Sequence, residues 1–186
     1  MKLAKQRESN ESVGKHIICD PEKCAGCQLC TFACSFRYTS SFSPMKSMIR
    51  VITFHPLLNI AVACQHCKKP DCVRVCPTVA LSQFEETGRI IIDKDKCTGC
   101  GWCVKACPYG AMSLDVDTKL AFTCDLCEGE ERPLCIELCP SDALREGNLK
   151  EFRLSLEAYV NKGKLWEFTE VERWINAWGS EARKEN

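Results

Sequence analysis

The sequence lacks the features that mark an exported, membrane-spanning or strongly charged protein. Its first fifteen residues contain no apolar run, no small-residue cleavage site and no twin arginine. No stretch approaches the roughly 18 uninterrupted apolar residues of a membrane span. Lys and Arg total 25 and Asp and Glu total 25, so the charge balance favours neither nucleic acid nor an anionic membrane as partner. We therefore expect a cytoplasmic protein without a direct membrane span.

Catalytic motifs are absent as well. The 186 residues contain no GxGxxG, no P-loop, no Ser–His–Asp arrangement and only three histidines. The CxxxCxxC spacing of radical-SAM enzymes does not occur either. The sequence therefore predicts no catalytic residue in this chain.

Cysteine, in contrast, is abundant. The chain has 17 cysteines, and sixteen of them fall into four groups, with a proline directly after the last cysteine of groups two, three and four. The groups, in chain order, are Cys24, Cys27, Cys30 and Cys34; Cys64, Cys67, Cys72 and Cys76; Cys97, Cys100, Cys103 and Cys107; and Cys124, Cys127, Cys135 and Cys139. Only Cys19 lies outside them.

The groups belong to a longer internal repeat. IICDPEKCAGC leads into group one and IIIDKDKCTGC into group three, which places Cys19 opposite Ile92. We expect Cys19 to be a small buried core residue at the end of a strand. The repeat predicts a short strand, a cysteine loop, a single helical turn and a proline stop. Group one departs from it, because Ser35 follows Cys34 where the other groups have proline.

The cysteine spacing discriminates between three chemistries. Three cysteines separated by two residues each lie on one tight loop, so their thiolates converge on one cofactor, and the fourth cysteine points away. Bacterial ferredoxins have this arrangement, and their fourth cysteine binds a neighbouring 4Fe–4S cluster. Four groups then predict four 4Fe–4S clusters. Zinc fits less well, because its structural sites use two well-separated ligand pairs. Disulfides fit poorly with an odd cysteine count and no export signal. His66, inside CQHC, is expected beside the site or on the surface, not as a ligand.

The rest of the chain predicts an α+β fold of short hairpins and helical turns. Strands are expected at HIICD, MIRVITF and NIAVA, and hairpins at ALSQFEETGRIIID and AMSLDVDTKLAFTC, with turns at EETG and DVDTK. Asp20, Asp93 and Asp95, which precede cysteine loops, are expected to cap turns.

The C-terminal tail has no cysteine and two sets of apolar residues at helical spacing. The sets are Phe152, Leu156, Tyr159 and Val160, and Val171, Trp174, Ile175 and Trp178, with Trp166 and Phe168 before the second. Such a helical tail either caps the protein's own core or docks a partner subunit, and composition alone leaves both open.

The motifs CAGCQLCTFAC, CQHCKKPDCVRVCP, CTGCGWCVKACPYGA and FTCDLC…CIELCP resemble, in that order, the four motifs of four-cluster ferredoxin-like electron-transfer subunits. That family includes the iron–sulfur subunits of dimethyl sulfoxide reductase, formate dehydrogenase and nitrate reductase. It also includes the smaller ferredoxin-like partners of tungsten aldehyde oxidoreductases and related benzoyl-CoA reductases. The resemblance covers roughly residues 16–145.

The resemblance implies nested pairing of the groups. Residues 16–63 with 115–145 would form one two-cluster unit and residues 64–114 the other, between a flexible N-terminus at 1–15 and a helical tail at 146–186. The implied ligand sets are Cys24, Cys27, Cys30 and Cys139 for the first cluster; Cys34, Cys124, Cys127 and Cys135 for the second; Cys64, Cys67, Cys72 and Cys107 for the third; and Cys76, Cys97, Cys100 and Cys103 for the fourth.

The resemblance also implies a function. The chain would pass single electrons between a large pterin-containing molybdenum or tungsten subunit, of the aldehyde oxidoreductase or benzoyl-CoA reductase type, and a carrier such as ferredoxin or a further subunit. Alternatives are a freely diffusing polyferredoxin and an electron-transfer subunit of a formate dehydrogenase or hydrogenase complex. An enzyme acting through one of its own clusters fits least, since every ligand position holds cysteine.

Overall fold

The computed structural model describes residues 16–54 and 58–163, with side chains assigned in most of that range, and all 17 cysteines lie within it. In chain order the elements are β1 (His16–Cys19), α1 (Leu29–Thr39), a 3-10 turn (Pro44–Lys46), β2 (Arg50–Phe54), β3 (Leu58–Val62), α2 (Asp71–Arg74), β4 (Leu81–Gln83), β5 (Ile90–Ile92), α3 (Trp102–Ala106), β6 (Ser113–Leu114), β7 (Ala121–Phe122), α4 (Leu134–Glu137), β8 (Leu144–Gly147) and α5 (Leu149–Gly163). This is an α+β architecture.

The strands of the described part form four antiparallel pairs. β2–β3, β4–β5 and β6–β7 join neighbours in sequence. The two predicted hairpins, β4–β5 and β6–β7, are therefore confirmed, and the strands predicted at β2 and β3 form a further pair. β1 instead pairs with β8, in a register that sets His16 opposite Gly147 and Cys19 opposite Leu144. β8 was not predicted, because its four residues carry no strand pattern and depend on a partner far away in sequence. β8 also crosses the boundary predicted at 145/146.

The helices differ in length for a local reason. α2, α3 and α4 have four or five residues, and each precedes a Cys–Pro pair. Proline disfavours helical geometry at the residue before it, which ends the helix. α1 has 11 residues and runs through Cys34, since Ser35 permits continuation. The prediction of a single helical turn is therefore wrong for group one.

The tail helix α5 packs on β1. Phe152 and Leu156 are each 2% exposed and belong to the core, and Tyr159 packs partly buried against it. This part of the tail therefore caps the protein's own core. The side chain of Val160 and the second apolar set, with Trp166 and Phe168, lie outside the described residues.

Within the described ranges, no helix combines the length and apolar character needed to cross a bilayer.

Candidate metal centres

All 17 cysteines are free, so the described chain contains no disulfide. Nor do three or more His, Cys, Asp or Glu side chains of the described residues converge closely enough to hold one metal ion. A structural zinc would need four ligands at about 2.0–2.3 Å from one centre.

Three cavities are each lined by four of the grouped cysteines. The Cys64 cavity is lined by Cys64, Cys67, Cys72 and Cys107. The Cys34 cavity is lined by Cys34, Cys124, Cys127 and Cys135. The Cys76 cavity is lined by Cys76, Cys97, Cys100 and Cys103. In each, cysteines from two different groups meet, and each combination matches one ligand set implied by the resemblance.

The remaining set is only partly gathered by the described contacts. Cys24 and Cys27 lie close enough to Cys30 for their charges to raise the pKa of its thiol. That Cys139 joins them stays a prediction, as do the other three ligand sets.

Backbone amides point at the cysteine sulfurs. The main-chain nitrogens of Ala80 and Ala111 lie 3.3 Å and 3.4 Å from the Sγ atoms of Cys76 and Cys107, four residues earlier. The turn imposed by the intervening proline brings the amide back over the sulfur. An N–H donated to a thiolate stabilises its negative charge, as is typical of iron–sulfur ligands.

Two further amides approach grouped cysteines, one from a distant segment and one from two residues away. The main-chain nitrogen of Ala121 in β7 lies 3.5 Å from the Sγ of Cys97, and that of Leu126 lies 3.4 Å from the Sγ of Cys124. Sequence analysis missed all these donors, because the groups are main-chain. One signal was available: CPTVA, CPYGA and CPSDA place an alanine at the same position after each Cys–Pro pair.

Burial makes several of the grouped thiols poor anions on their own. It raises the pKa of Cys30 and of Cys64 to about 11, and that of Cys72 to about 12. These side chains would stay protonated near neutral pH unless a cation compensated the thiolate charge. Iron bound to the sulfurs would supply that compensation, and metal binding would then contribute to folding.

His66 is fully buried. Of the two positions expected for it, beside the site or on the surface, the surface position is therefore wrong. It lines none of the three cysteine cavities. Its φ is 45°, in the left-handed region, and burial lowers its pKa to about 4. The ring is therefore neutral at physiological pH.

The acidic residues before the cysteine loops act as turn caps. Asp20 Oδ1 accepts a hydrogen bond from the main-chain N–H of Glu22 at 3.0 Å. Asp93 Oδ1 accepts from the N–H groups of Asp95 and Lys96 at 3.1 Å and 3.3 Å. Asp95 thus contributes a donor to the turn, and the capping carboxylate is that of Asp93.

Thr123 places two of the cavities side by side. Its side chain lines the Cys64 cavity, whereas the next residue, Cys124, lines the Cys34 cavity. Thr123 is buried, and its hydroxyl donates to the carbonyl of Ala111 at 2.9 Å. Consecutive residues therefore line the two sites.

Two family models match the chain. A 4Fe-4S dicluster domain matches residues 57–149, and a 4Fe-4S binding domain matches residues 21–37. Between them they span all sixteen grouped cysteines.

Two proteins with assigned names are similar to this chain in sequence. The aliphatic sulfonate oxidoreductase polyferredoxin-like subunit of Pyrococcus furiosus is 39% identical over 66% of this chain and 70% of its own. The thiosulfate reductase electron transfer subunit PhsB of Salmonella typhi is 34% identical over 86% of this chain and 80% of its own. Among solved structures, the BamBC active site complex of benzoyl coenzyme A reductase with benzoyl-CoA aligns over 86% of this chain and 99% of that chain, at 22% identity and a TM-score of 0.45.

Proposed function

The chain belongs to the 4Fe-4S dicluster domain family, and we propose that it is an electron-transfer subunit of an oxidoreductase complex. Its cofactors are 4Fe–4S clusters, up to four in number. The proposal is carried by one observation: three cavities, each lined by four cysteines drawn from two groups. Clusters held in this way supply one-electron redox chemistry, and the protein supplies ligands, backbone donors and insulation from water.

The four clusters in this proposal have the ligand sets implied by nested pairing. The packing of the elements supports that arrangement, because α1 packs on α4 and β1 pairs with β8, whereas α2 packs on α3. The outer groups one and four thus meet in one unit, and the inner groups two and three in the other. The second and third clusters face each other across Thr123 and Cys124.

Exposure of the ligands suggests where electrons enter and leave. Among the grouped cysteines, all within the described ranges, only Cys27 and Cys100 are exposed. They belong to the first and fourth proposed ligand sets. All four ligands of the second set are buried. We infer that electrons exchange with partners at the first and fourth clusters and cross the interior through the other two.

We further propose that the catalytic partner is a large pterin-containing molybdenum or tungsten subunit. The support is the resemblance of the four motifs to compact partners of such enzymes. The substrate of that partner could be an aldehyde or an aromatic acyl-CoA, as the resemblance implies. Sulfur compounds are a second candidate class, because two relatives are named as subunits of an aliphatic sulfonate oxidoreductase and a thiosulfate reductase. The chain would itself be non-catalytic, as its sequence holds no catalytic motif.

Purification of the native complex without oxygen tests the proposal. We expect about sixteen iron and sixteen sulfide ions per chain, as four 4Fe–4S clusters require. We also expect a larger subunit that contains molybdenum or tungsten to co-purify. A cluster-loaded chain that purifies alone would contradict the subunit role and favour a diffusing polyferredoxin. A partner lacking both metals would overturn only the pterin assignment. Assays with thiosulfate, a sulfonate and an aldehyde would then separate the substrate classes.

A further inference from the structure

The internal repeat is preserved in the structure. β1 leads into group one and β5 into group three, and Cys19 at the end of β1 is 2% exposed, which confirms its predicted place in the core. The segments that contain the ligands of the first and fourth proposed clusters are therefore equivalent. They are residues 20–34 and 134–143 at the first end, and residues 93–107 and 71–80 at the fourth end. Differences between their exposed side chains are thus not required for ligand binding.

An exposed apolar patch lies beside the fourth ligand set. Trp102 is 58% exposed and Val79 is 75% exposed. Each directly adjoins residues that line the Cys76 cavity, and the exposed ligand Cys100 lines that cavity too. We call Val79, Cys100 and Trp102 the Trp102 face. An exposed tryptophan beside an exposed aliphatic side chain is typical of a protein interface.

Val79 has a backbone conformation that valine rarely adopts. Its φ is 53°, in the left-handed region, where a β-branched residue is an outlier. At the equivalent positions after the other Cys–Pro pairs, Gly110 has φ 61° and Asp142 has φ 49°, and both residue types tolerate this region better. Strained residues of this kind concentrate at functional sites. An exposed valine that is kept in spite of strain favours contact with a partner.

The two ends carry different charges in their equivalent segments. Arg74 at the fourth end corresponds to Glu137 at the first, and Val79 corresponds to Asp142. When every charged residue is counted, the fourth end has a net charge of +1 and the first end has −3. The charged residues are Arg74, Lys94, Lys96, Lys105, Asp71, Asp93 and Asp95 at the fourth end, and Lys23, Asp20, Glu22, Glu137 and Asp142 at the first. The fourth end therefore attracts an acidic protein more strongly than the first end does.

The cations of the fourth end are exposed and lie near its ligands. All four are exposed, whereas Asp95 is the only exposed acid among the three. Arg74 lies in α2 and Lys105 in α3, which begins at Trp102, and these two helices pack on each other. An apolar patch flanked by exposed cations is complementary to a redox protein whose own centre is surrounded by carboxylates.

We propose that the Trp102 face docks an acidic electron-carrier protein, with the apolar patch at the centre of the contact and the exposed cations facing carboxylates of the carrier. The inference rests on the proposed function and deepens it, because it names the kind of partner that meets the fourth cluster. Complementary charge speeds the encounter and orients the two proteins. The acidic first end repels the same carrier, so the carrier docks at one end only.

Binding of a small acidic two-cluster ferredoxin to the native complex tests this proposal. The dissociation constant is measured without oxygen at about 0.1 M and about 0.5 M salt. Iron content and subunit composition are determined first. A wild-type complex that lacks iron or a second subunit would contradict the proposed function, and it is thereby distinguished from a failure of docking.

Four variants locate the contact. Trp102→Ala removes the aromatic side chain, Val79→Asp copies the first end, and Arg74→Glu reverses one charge. Lys23→Glu is the matched control, because it makes the same change in net charge at the first end. Arg74→Glu and Val79→Asp carry the test if Trp102→Ala loses iron.

We expect Trp102→Ala to weaken binding at least about tenfold at both salt concentrations. Arg74→Glu should weaken it roughly three- to tenfold at low salt and much less at high salt, where exposed charges are screened. Val79→Asp should also weaken binding at full iron content, and Lys23→Glu should bind like the wild type.

Four results would overturn the proposal. The first is no salt-dependent binding of ferredoxin by the wild type, and the second is equal weakening by Lys23→Glu and Arg74→Glu. The third is loss of the larger subunit in Trp102→Ala or Arg74→Glu, which would place the catalytic subunit on this face. The fourth is a doubled mass of the wild-type complex that Trp102→Ala abolishes, which would place a second copy of the chain there.

Discussion

The main-chain nitrogen of Met48 lies 3.3 Å from the Sγ of Cys34, fourteen residues away in the chain. In groups two and three the equivalent sulfur receives its amide from an alanine four residues later. Group one cannot use that local donor, because α1 continues past Cys34 and its amides are committed to the helix. A distant segment supplies the donor instead. The Ser35 hydroxyl helps to place that segment, since it accepts a hydrogen bond from the N–H of Ser43 at 3.2 Å.

The substitution Ser35→Pro should therefore be damaging even though proline is the rule in the other groups. Proline inside α1 removes a helical N–H and clashes with the preceding turn, at about 3 kcal/mol. We expect loss of about four iron atoms per chain, measured by iron analysis after anaerobic purification. Ser35→Ala is the control, because it removes only hydroxyl contacts of about 1 kcal/mol. Full iron content in Ser35→Pro would contradict this account of group one.

The paired cavities predict which cysteines act on the same cluster. Cys64 and Cys107 line one cavity, whereas Cys103 and Cys107 line different ones despite their closeness in sequence. Cys64→Ala and Cys107→Ala should abolish or alter the same paramagnetic signal, and the double variant should add little. Cys103→Ala should affect a different signal. The opposite result, with Cys103 and Cys107 acting on one signal, would refute nested pairing.

Two glycines with similar backbone geometry should respond differently to alanine. Gly99 has φ +68°, and a Cβ there would lie 2.5 Å from the main-chain oxygen of Lys119. Gly110 has φ +61° and meets nothing within 4 Å. Both substitutions incur left-handed strain of about 1–2 kcal/mol, but only Gly99→Ala also forces the β6–β7 turn away from the loop that contains Cys100.

We expect Gly99→Ala to lose the cluster of the Cys76 cavity and Gly110→Ala to retain full iron content. Iron analysis and the paramagnetic spectrum of each variant would measure this. Equal iron loss in both variants would show that backbone strain alone decides the outcome. Full iron content in both variants would mean that the β6–β7 turn can move away from the new Cβ without loss of the cluster.

The buried histidine at the start of β1 predicts acid sensitivity. Burial lowers the pKa of His16 to about 4, with a further lowering by His66 and an opposing effect of Glu151. The unfolded chain binds the proton more readily, so stability is present above about pH 6.5 and is lost as the pH falls towards 4. The steepest loss is about 1.4 kcal/mol per pH unit.

The variant His16→Leu should flatten this dependence without removing it, because burial also lowers the pKa of His66 to about 4. The denaturant midpoint for bleaching of cluster absorbance, recorded anaerobically between about pH 5.5 and 7.5, gives the measurement. Identical pH dependence in the variant and the wild type would exclude His16 as a contributor.

Local chemistry made much of this structure predictable. The hairpins β4–β5 and β6–β7 follow from turn residues between short apolar runs, and the cysteine groups follow from ligand spacing. The features that sequence reasoning missed are contacts between distant segments and hydrogen bonds from main-chain amides. β8 exists because β1 pairs with it, and the donors to Cys34 and Cys97 are amides whose side chains carry no signal. The burial of His66 was equally hidden, since its neighbours come from elsewhere in the fold.

The pairing of β1 with β8 has a consequence for biosynthesis. A ribosome delivers His16 well before Gly147, so the sheet that joins them cannot close until all four cysteine groups have emerged. The cysteines of the inner groups leave the ribosome together and can receive iron first. Maturation is therefore expected to proceed from the middle of the sequence outwards, with cluster loading of the enclosing unit as the final step.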